Sequence, residues 1–346
     1  MASQPPTLPS PPFFNIPNIN NLRDAAVGLQ TRQGKIRTGV LFRSAEVSRL
    51  DRKGWEEVRE LGVGQVFDLR SKTEVAKGWS IGPERKNDGG RVDGDAEDLI
   101  PDWLAAMQDA GVQRTWVPVF ADKDYGPEKI ALRYQKYMDK STDGFASAYR
   151  DILKAGGPAY RTIALYLVSL DPNELEAGHG LGGTGKGALI HCTAGKDRTG
   201  VFFGILFDFL KVARDHIAAE YNLTEPGLAA AREQIVPRLL QSPGFQKYML
   251  RLSKGEDLSQ DELAKLVEER DSADAKPIEF PPEVMEEGRQ AALRMVGARK
   301  ESMMATLEMV DSEFGGSERY LREYCGLGGW GVGGVKESAC HDCMTI

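Results

Sequence analysis

Four short apolar runs, at 40–43, 65–69, 115–119 and 188–192, punctuate a chain of otherwise mixed polarity and read as strands. Between them, the stretches 52–61, 127–137, 145–153 and 161–170 place apolar residues at three- and four-residue intervals and read as helices. Strands alternating with helices predict an α/β fold with a mostly parallel central sheet flanked by helices on both faces. Such sheets bind ligands beyond the carboxyl ends of their strands. A helix is also predicted over 215–223, ending at Thr224-Glu225-Pro226-Gly227. A largely helical C-terminal block follows near 237–297, in which Val284, Gly288, Ala291, Ala292 and Met295 share one face. Met303, Leu307 and Val310 repeat that spacing further on.

The chemistry concentrates after the last strand. Ala188-Leu189-Ile190 leads into His191-Cys192-Thr193-Ala194-Gly195-Lys196-Asp197-Arg198-Thr199, and the apolar stretch 201–210 follows. This order predicts buried strand, tight loop and buried helix, which carries a thiol and a guanidinium to a helix N-terminus. Unpaired N–H groups and the positive end of the macrodipole favour a phosphate dianion there, and they favour a thiolate. A bare Cys-x5-Arg is weak evidence in a chain with four cysteines. Gly195 strengthens it, because a glycine lets the backbone approach an oxyanion. Thr199 adds a hydroxyl beside the sulfur. The expected chemistry is attack of Cys192 on phosphorus, giving a phosphocysteine intermediate. Arg198 holds two phosphoryl oxygens, and the backbone N–H groups of Thr193, Ala194, Gly195, Lys196, Asp197 and Arg198 hold the rest. The loop neutralises the dianion by itself, so no metal or other cofactor is expected. Three carboxyls compete to protonate the leaving oxygen: Asp122, favoured, and Asp124, both at a strand end running into a polar loop, and Asp197 inside the loop.

The loop resembles the signature of the protein tyrosine phosphatase superfamily. More narrowly, it is similar to the fungal and bacterial tyrosine/serine phosphatases with a His-Cys-x-x-Gly-Lys-Asp-Arg-Thr-Gly loop. Asn21-Leu22-Arg23-Asp24, Gly39-Val40-Leu41-Phe42-Arg43-Ser44-Ala45, and Phe67-Asp68-Leu69-Arg70 with Glu74 resemble further segments of that family. So do Arg150-Asp151-Ile152-Leu153 and Gly315-Gly316-Ser317-Glu318-Arg319-Tyr320-Leu321. The resemblance implies a cysteine-phosphatase-like fold and hydrolysis of phosphotyrosine in proteins, with phosphoserine and phosphothreonine as further substrates. It implies that His191 orders the loop, and it makes Asp197 a serious rival to Asp122. It also implies an alternative substrate class, inositol phosphates or phosphoinositides, because Lys196 resembles the loop lysine of superfamily enzymes acting on those compounds. A third reading is a phosphate-binding adaptor without turnover. Helices inserted after the loop imply a lid; ordinary packing at the domain edge explains them equally simply.

The remaining chain sets bounds. A net charge of −7 argues against nucleic acid and against a broad polybasic membrane surface. No run is long enough to span a bilayer. The four cysteines, at 192, 325, 340 and 343, do not form a disulfide framework, and a catalytic thiol requires a reducing compartment. The expectation is the cytoplasm, with the nucleus open. The predicted organisation is a disordered Pro- and Ser-rich tail at 1–12, one phosphatase domain at 13–326 and a flexible Gly-rich tail at 327–346. Surface insertions are predicted near 79–111 and 173–187. The second contains Gly180-Leu181-Gly182-Gly183-Thr184-Gly185-Lys186, which mimics a nucleotide loop but precedes a strand instead of following one. Cys340-His341-Asp342-Cys343 is too small a set to imply a metal site.

Overall fold

Strand β5 (Gly187–His191) is buried along its whole length and forms the axis of the molecule. The computed structural model describes residues 8–32, 34–77, 102–121, 124, 127–171, 175, 185–254 and 280–328. In chain order the elements are β1 (Arg23–Asp24), β2 (Leu41–Ser44), α1 (Arg52–Glu60), β3 (Val63–Asp68), α2 (Lys72–Lys77), α3 (Asp102–Asp109), β4 (Gln113–Trp116), α4 (Pro127–Met138) and α5 (Thr142–Val168). After β5 come α6 (Asp197–Phe209), α7 (Arg214–Asn222), α8 (Thr224–Gly227), α9 (Ala229–Gln241), α10 (Pro243–Lys254), α11 (Pro282–Val296) and α12 (Lys300–Phe314). Among the described residues no helix is long and apolar enough to cross a membrane.

The sheet runs β1-β2-β5-β3-β4. All neighbours are parallel except the two-residue edge strand β1, which pairs antiparallel with β2. The expected mostly parallel α/β sheet is therefore what the chain forms. Side chains alternate across it, as the two-residue period of a strand requires. Leu189 joins Phe42, Val63 and Val66 in the core beneath α1 and α3. Ala188, Ile190 and Cys192 join Leu41, Phe67 and Leu69 in the larger core under α5, α6 and α12. Ser44 and Asp68 both register against His191. Three strands thus end at one level, and their following loops gather at one edge.

Several elements depart from the sequence reading, each for an identifiable reason. The stretches 145–153 and 161–170 are not two helices but parts of the single 27-residue helix α5, which carries Pro158 internally. The Gly-Gly-Pro sequence reads as a break, but Gly157 lies where a Cβ would come within 2.4 Å of the Tyr324 carbonyl. The close approach uses the glycine, and packing on both sides holds the helix through the proline. The strand expected at 115–119 ends at Trp116, because Pro118 cannot donate to the ladder. Residues 102–111, expected within a surface insertion, contain α3, whose Met107 is fully buried beside Val58 and Trp55 of α1. Residues 8–12, counted with the N-terminal tail, include carbonyls of Pro9 and Pro12 that accept from the N–H groups of Phe13 and Asp24. Most of the two predicted insertions, the nucleotide-loop mimic at 180–184 and the tail at 329–346 lie outside the described residues.

Helix propensity alone favours alanine over glycine by about 1 kcal/mol. At residue 157 the clash with a backbone carbonyl reverses that sign. Gly157→Ala is expected to lower unfolding stability by about 1–3 kcal/mol, read as a reduced midpoint in chemical denaturation.

Candidate active site

The loop from Cys192 to Lys196 owes its shape to groups outside it. Gly195 has φ +62°, and a Cβ there would lie 2.0 Å from the Ser44 carbonyl oxygen. Only glycine fits. Three successive loop carbonyls face away from the loop's mouth and are held there. Thr193 O accepts from Glu46 N at 3.1 Å. Ala194 O accepts from Asn21 Nδ2 at 3.2 Å. Gly195 O accepts from Arg43 Nη2 at 2.7 Å and from Asn21 Nδ2 at 3.3 Å. In a trans peptide the N–H points opposite the C=O. The N–H groups of Ala194, Gly195 and Lys196 are thereby turned the other way and converge as an anion nest. Helix α6 begins directly after Lys196 with no side-chain cap, so its first-turn N–H groups extend the nest.

The carbonyl-holding groups are anchored by one buried carboxylate. Glu220 on α7 accepts from Arg23 Nε at 2.8 Å and from Arg43 Nη1 at 2.6 Å. Both guanidinium groups are fully buried. Arg23 also donates to Asn21 Oδ1, to the Glu220 carbonyl and to Thr224 Oγ1. Burial lowers the Arg23 guanidinium to about 10, against the opposing pull of Glu220, so it stays charged at neutral pH.

Arg198, in the first turn of α6, is gripped end-on. Its Nη1 donates to Glu74 Oε2 at 2.6 Å and its Nη2 to Glu74 Oε1 at 2.7 Å. Thr193 Oγ1 donates to the same carboxylate and accepts from Arg198 Nη2. Ser71 and Glu74 meanwhile form a reciprocal capping box: Ser71 N donates to Glu74 Oε2 at 3.0 Å, and Glu74 N donates to Ser71 Oγ at 3.2 Å. The turn that starts α2 thus delivers its cap carboxylate to the loop arginine.

His191 lies behind the loop, fully buried. Its Nδ1 donates to the Cys192 carbonyl at 3.1 Å, which places the ring proton on Nδ1. Nε2 is 3.7 Å from Asp68 Oδ1. Burial, only partly opposed by Asp68, lowers the imidazole to about 4, so the ring is neutral at pH 7. Burial by itself would raise Asp68, but His191, Arg70 and Arg114 together push this carboxyl below its usual range.

Cys192 is 1% exposed and lines a cavity of about 350 Å³ together with Thr193, Ala194, Lys196, Asp197, Arg198 and Glu74. Phe120, Tyr134, Tyr137 and Ile152 form one apolar wall, and Leu228, Ile235, Leu239, Met295 and Val296 another. Helices α9 and α11 of the C-terminal block therefore wall the cavity. Asp197 accepts from Tyr149 Oη at 2.9 Å, and Tyr149 in turn shares a 2.6 Å hydrogen bond with Tyr221. Lys196 Nζ lies 3.2 Å from Asp197 Oδ1.

The structure thus brings together Cys192, Thr193, Ala194, Lys196, Asp197 and Arg198 around one cavity, with Gly195 in the loop and His191 behind it. Thr199 is buried beneath, its Oγ1 without a hydrogen-bond partner among the described residues. Asp124 pairs with Lys129 at 2.7 Å and does not line the cavity. Asp122 lies outside the described residues. The other described cysteine, Cys325, is buried far along the chain, and burial pushes its thiol up to about 12. Among the described residues no three His, Cys, Asp or Glu side chains group as metal ligands. Sequence reasoning assigned no site role to Glu74, Tyr149, Asn21, Arg43 or Glu220. The Ser71-x-x-Glu74 spacing was a readable signal, since it is a capping box. Nothing local marks Glu220, which acts across 177 positions from Arg43.

A thiol and an arginine at an amide nest, beyond the carboxyl ends of a parallel sheet, define a cysteine-dependent phosphatase. A family model described as the tyrosine phosphatase family matches residues 14–330, and the chain belongs to that family. It is 29% identical over 235 residues to the triple specificity protein phosphatase PtpB of Mycobacterium tuberculosis, covering 65% of this chain and 74% of that protein. It is 25% identical over 206 residues to a tyrosine-protein phosphatase of Nostoc commune, covering 58% of this chain and 55% of that one. The protein is accordingly a phosphatase acting on phosphorylated substrates.

Two outcomes are expected from the buried charges. Glu220→Gln leaves two interior guanidinium groups without their shared anion and should cost about 3–5 kcal/mol in denaturant unfolding. His191 has a folded-state pKa below its unfolded value, so the unfolded chain binds more protons between about pH 4 and 6.5. Stability is therefore lost as pH falls through that window, by up to ~3 kcal/mol at ~1.4 kcal/mol per unit. His191→Asn, measured by thermal unfolding from pH 7 to pH 4, should show a correspondingly shallower decline than the unsubstituted protein.

Proposed function

We propose that the protein removes phosphate from phosphotyrosine in proteins, with phosphoserine and phosphothreonine as lesser substrates, through a phosphocysteine on Cys192. The observation that carries this reading is the convergence of Cys192 and Arg198 on a cavity with apolar and aromatic walls. A phosphoryl group seats on the loop N–H groups of residues 193–198, and an aromatic ring lies against Phe120, Tyr137 and Met295. Arg198 is aligned by Glu74 before substrate arrives, so its reorganisation cost is small. Thr199 Oγ1, buried and without a hydrogen-bond partner among the described residues, is a candidate donor to the Cys192 sulfur. His191, neutral, holds the Cys192 carbonyl and takes no proton in the reaction.

The leaving oxygen needs an acid. Asp197 lines the cavity, where it pairs with Lys196 and accepts from Tyr149; Asp124 pairs with Lys129 away from the cavity, and both oxygens of Glu74 accept from Arg198. These placements favour Asp197 as the acid, with Asp122 its rival. The printed name of the mycobacterial relative, a triple specificity phosphatase, supports a substrate range wider than phosphotyrosine. A second reading, inositol phosphates or phosphoinositides, is favoured by Arg133 on the cavity wall, whose guanidinium stacks 3.9 Å from the Phe120 ring centroid. The thiol chemistry suits a reducing compartment such as the cytoplasm. We place the catalytic unit within 13–326, with α9–α11 as its cover.

Turnover of a phosphotyrosine peptide, a phosphoserine peptide and an inositol polyphosphate by the purified reduced protein decides the substrate class. Cys192→Ser is expected to abolish turnover yet retain binding of inorganic phosphate. Asp197→Asn should lower kcat for the phosphotyrosine peptide by about 10²-fold or more, and far less for p-nitrophenyl phosphate, whose leaving group needs little protonation. If Asp122→Asn shows that pattern and Asp197→Asn does not, the acid assignment moves to Asp122. Absence of turnover on all three substrates would refute the enzymatic reading.

A further inference from the structure

Lys196 sits in the phosphate loop, yet its ammonium points into the protein. It is 3% exposed. Its Nζ donates to the carbonyls of Met295 and Gly297, the latter at 3.1 Å, and lies 3.2 Å from Asp197 Oδ1. Two of the ammonium's three hydrogens go to those carbonyls, and the Asp197 carboxylate pairs with its charge. The faces of Phe145 and Tyr137 enclose it, with ring centroids at 5.0 and 5.4 Å. So held and buried, the ammonium is poorly placed to meet a second phosphate on a substrate.

The two carbonyls identify what Lys196 does hold. Gly297 is the C-terminal cap of α11, and Met295 lies in its last turn. A cation there satisfies terminal carbonyls and complements the negative end of the helix dipole. The side chains of Met295 and Val296, in the same turn, face the cavity beside Cys192. The next residue, Ala298, is held independently: its N–H donates to Glu225, and its carbonyl accepts from Asn222 Nδ2 at 2.9 Å. Loss of Lys196 would therefore loosen the end of α11 and leave the junction to α12 in place.

From this geometry we infer that Lys196 is a positioning residue that couples the phosphate loop to the end of α11, and so sets selectivity for an aryl leaving group. It does not recognise a second phosphate. The inference builds on the proposed phosphotyrosine activity for its kinetic consequence only. The coupling itself is read without catalysis. Because coupling between two sites is reciprocal, an anion ordering the loop must also steady the end of α11.

The test joins amide exchange with kinetics. In the unsubstituted protein, saturating inorganic phosphate is expected to slow exchange within residues 290–296 at least threefold. Unchanged exchange there overturns the coupling, and this arm needs no variant to fold. Lys196→Met keeps the aliphatic stem and removes all three donors. It is expected to speed exchange in 290–296 without phosphate and to raise KM for a phosphotyrosine peptide about tenfold. It should also shrink the phosphotyrosine-to-phosphoserine ratio of kcat/KM by a similar factor. Lys196→Arg, which retains charge and donors, should recover most of that ratio. A selective loss of inositol polyphosphate turnover in Lys196→Met, with phosphotyrosine kinetics and exchange unaltered, overturns the inference in favour of phosphate recognition. If the unsubstituted protein hydrolyses no phosphate monoester, the proposed function fails, and the exchange arm still judges the coupling.

Discussion

One buried carboxylate, shared between two buried guanidinium groups, underlies the catalytic loop. Glu220 pairs with both Arg23 and Arg43, and Arg43 together with Asn21 turns the loop carbonyls outward. The amide nest is the other side of those same peptide planes. Taking three charges out of water is expensive, and an apolar cluster of equal volume would be at least as stable. The arrangement is therefore one in which stability is given up for directionality. Hydrogen-bonded charges specify where a carbonyl points, and apolar side chains cannot. Gly195 completes the constraint by removing the one Cβ that would push the loop off Ser44.

Two further ionisable groups near the loop serve alignment. Glu74 combines a helix cap with a grip on Arg198, so the formation of α2 and the orientation of the guanidinium are one event. His191 is neutral and ties the strand end to the loop through the Cys192 carbonyl. Around this polar floor the walls are apolar, and they come from both sides of the signature loop in sequence: Phe120, Tyr134 and Tyr137 before it, Leu228, Ile235, Leu239 and Met295 after it. Residues of the helical block thus line the cavity.

What was legible in the sequence followed from local pattern. The strand–loop–helix around Cys192 was readable because an apolar run, a glycine and a second apolar run fall within one short stretch. The parallel sheet was readable for the same reason. What escaped had non-local causes. Pro158 looked like a helix end because the Tyr324 carbonyl that accepts Gly157 against it is remote in sequence. By resemblance Lys196 looked like a lysine for inositol phosphates, since nothing adjacent reveals that the α11 carbonyls reach it. Glu220 carries no motif. Asp124 is the exception, a local one: it sat in a plausible polar loop, but its oxygen is engaged by Lys129 five positions away.

The alternation along β5 carries a last consequence. Leu189 faces the α1 layer, whereas Ala188, Ile190 and Cys192 face the α5 layer. Without a bulge to absorb it, deleting or adding a single residue inside β5 would exchange the two sets. The sulfur would then be sealed against Trp55 and Val58 on the wrong side, however intact the nine-residue signature remained. The count of residues inside the central strand therefore sets the side on which the Cys192 sulfur emerges.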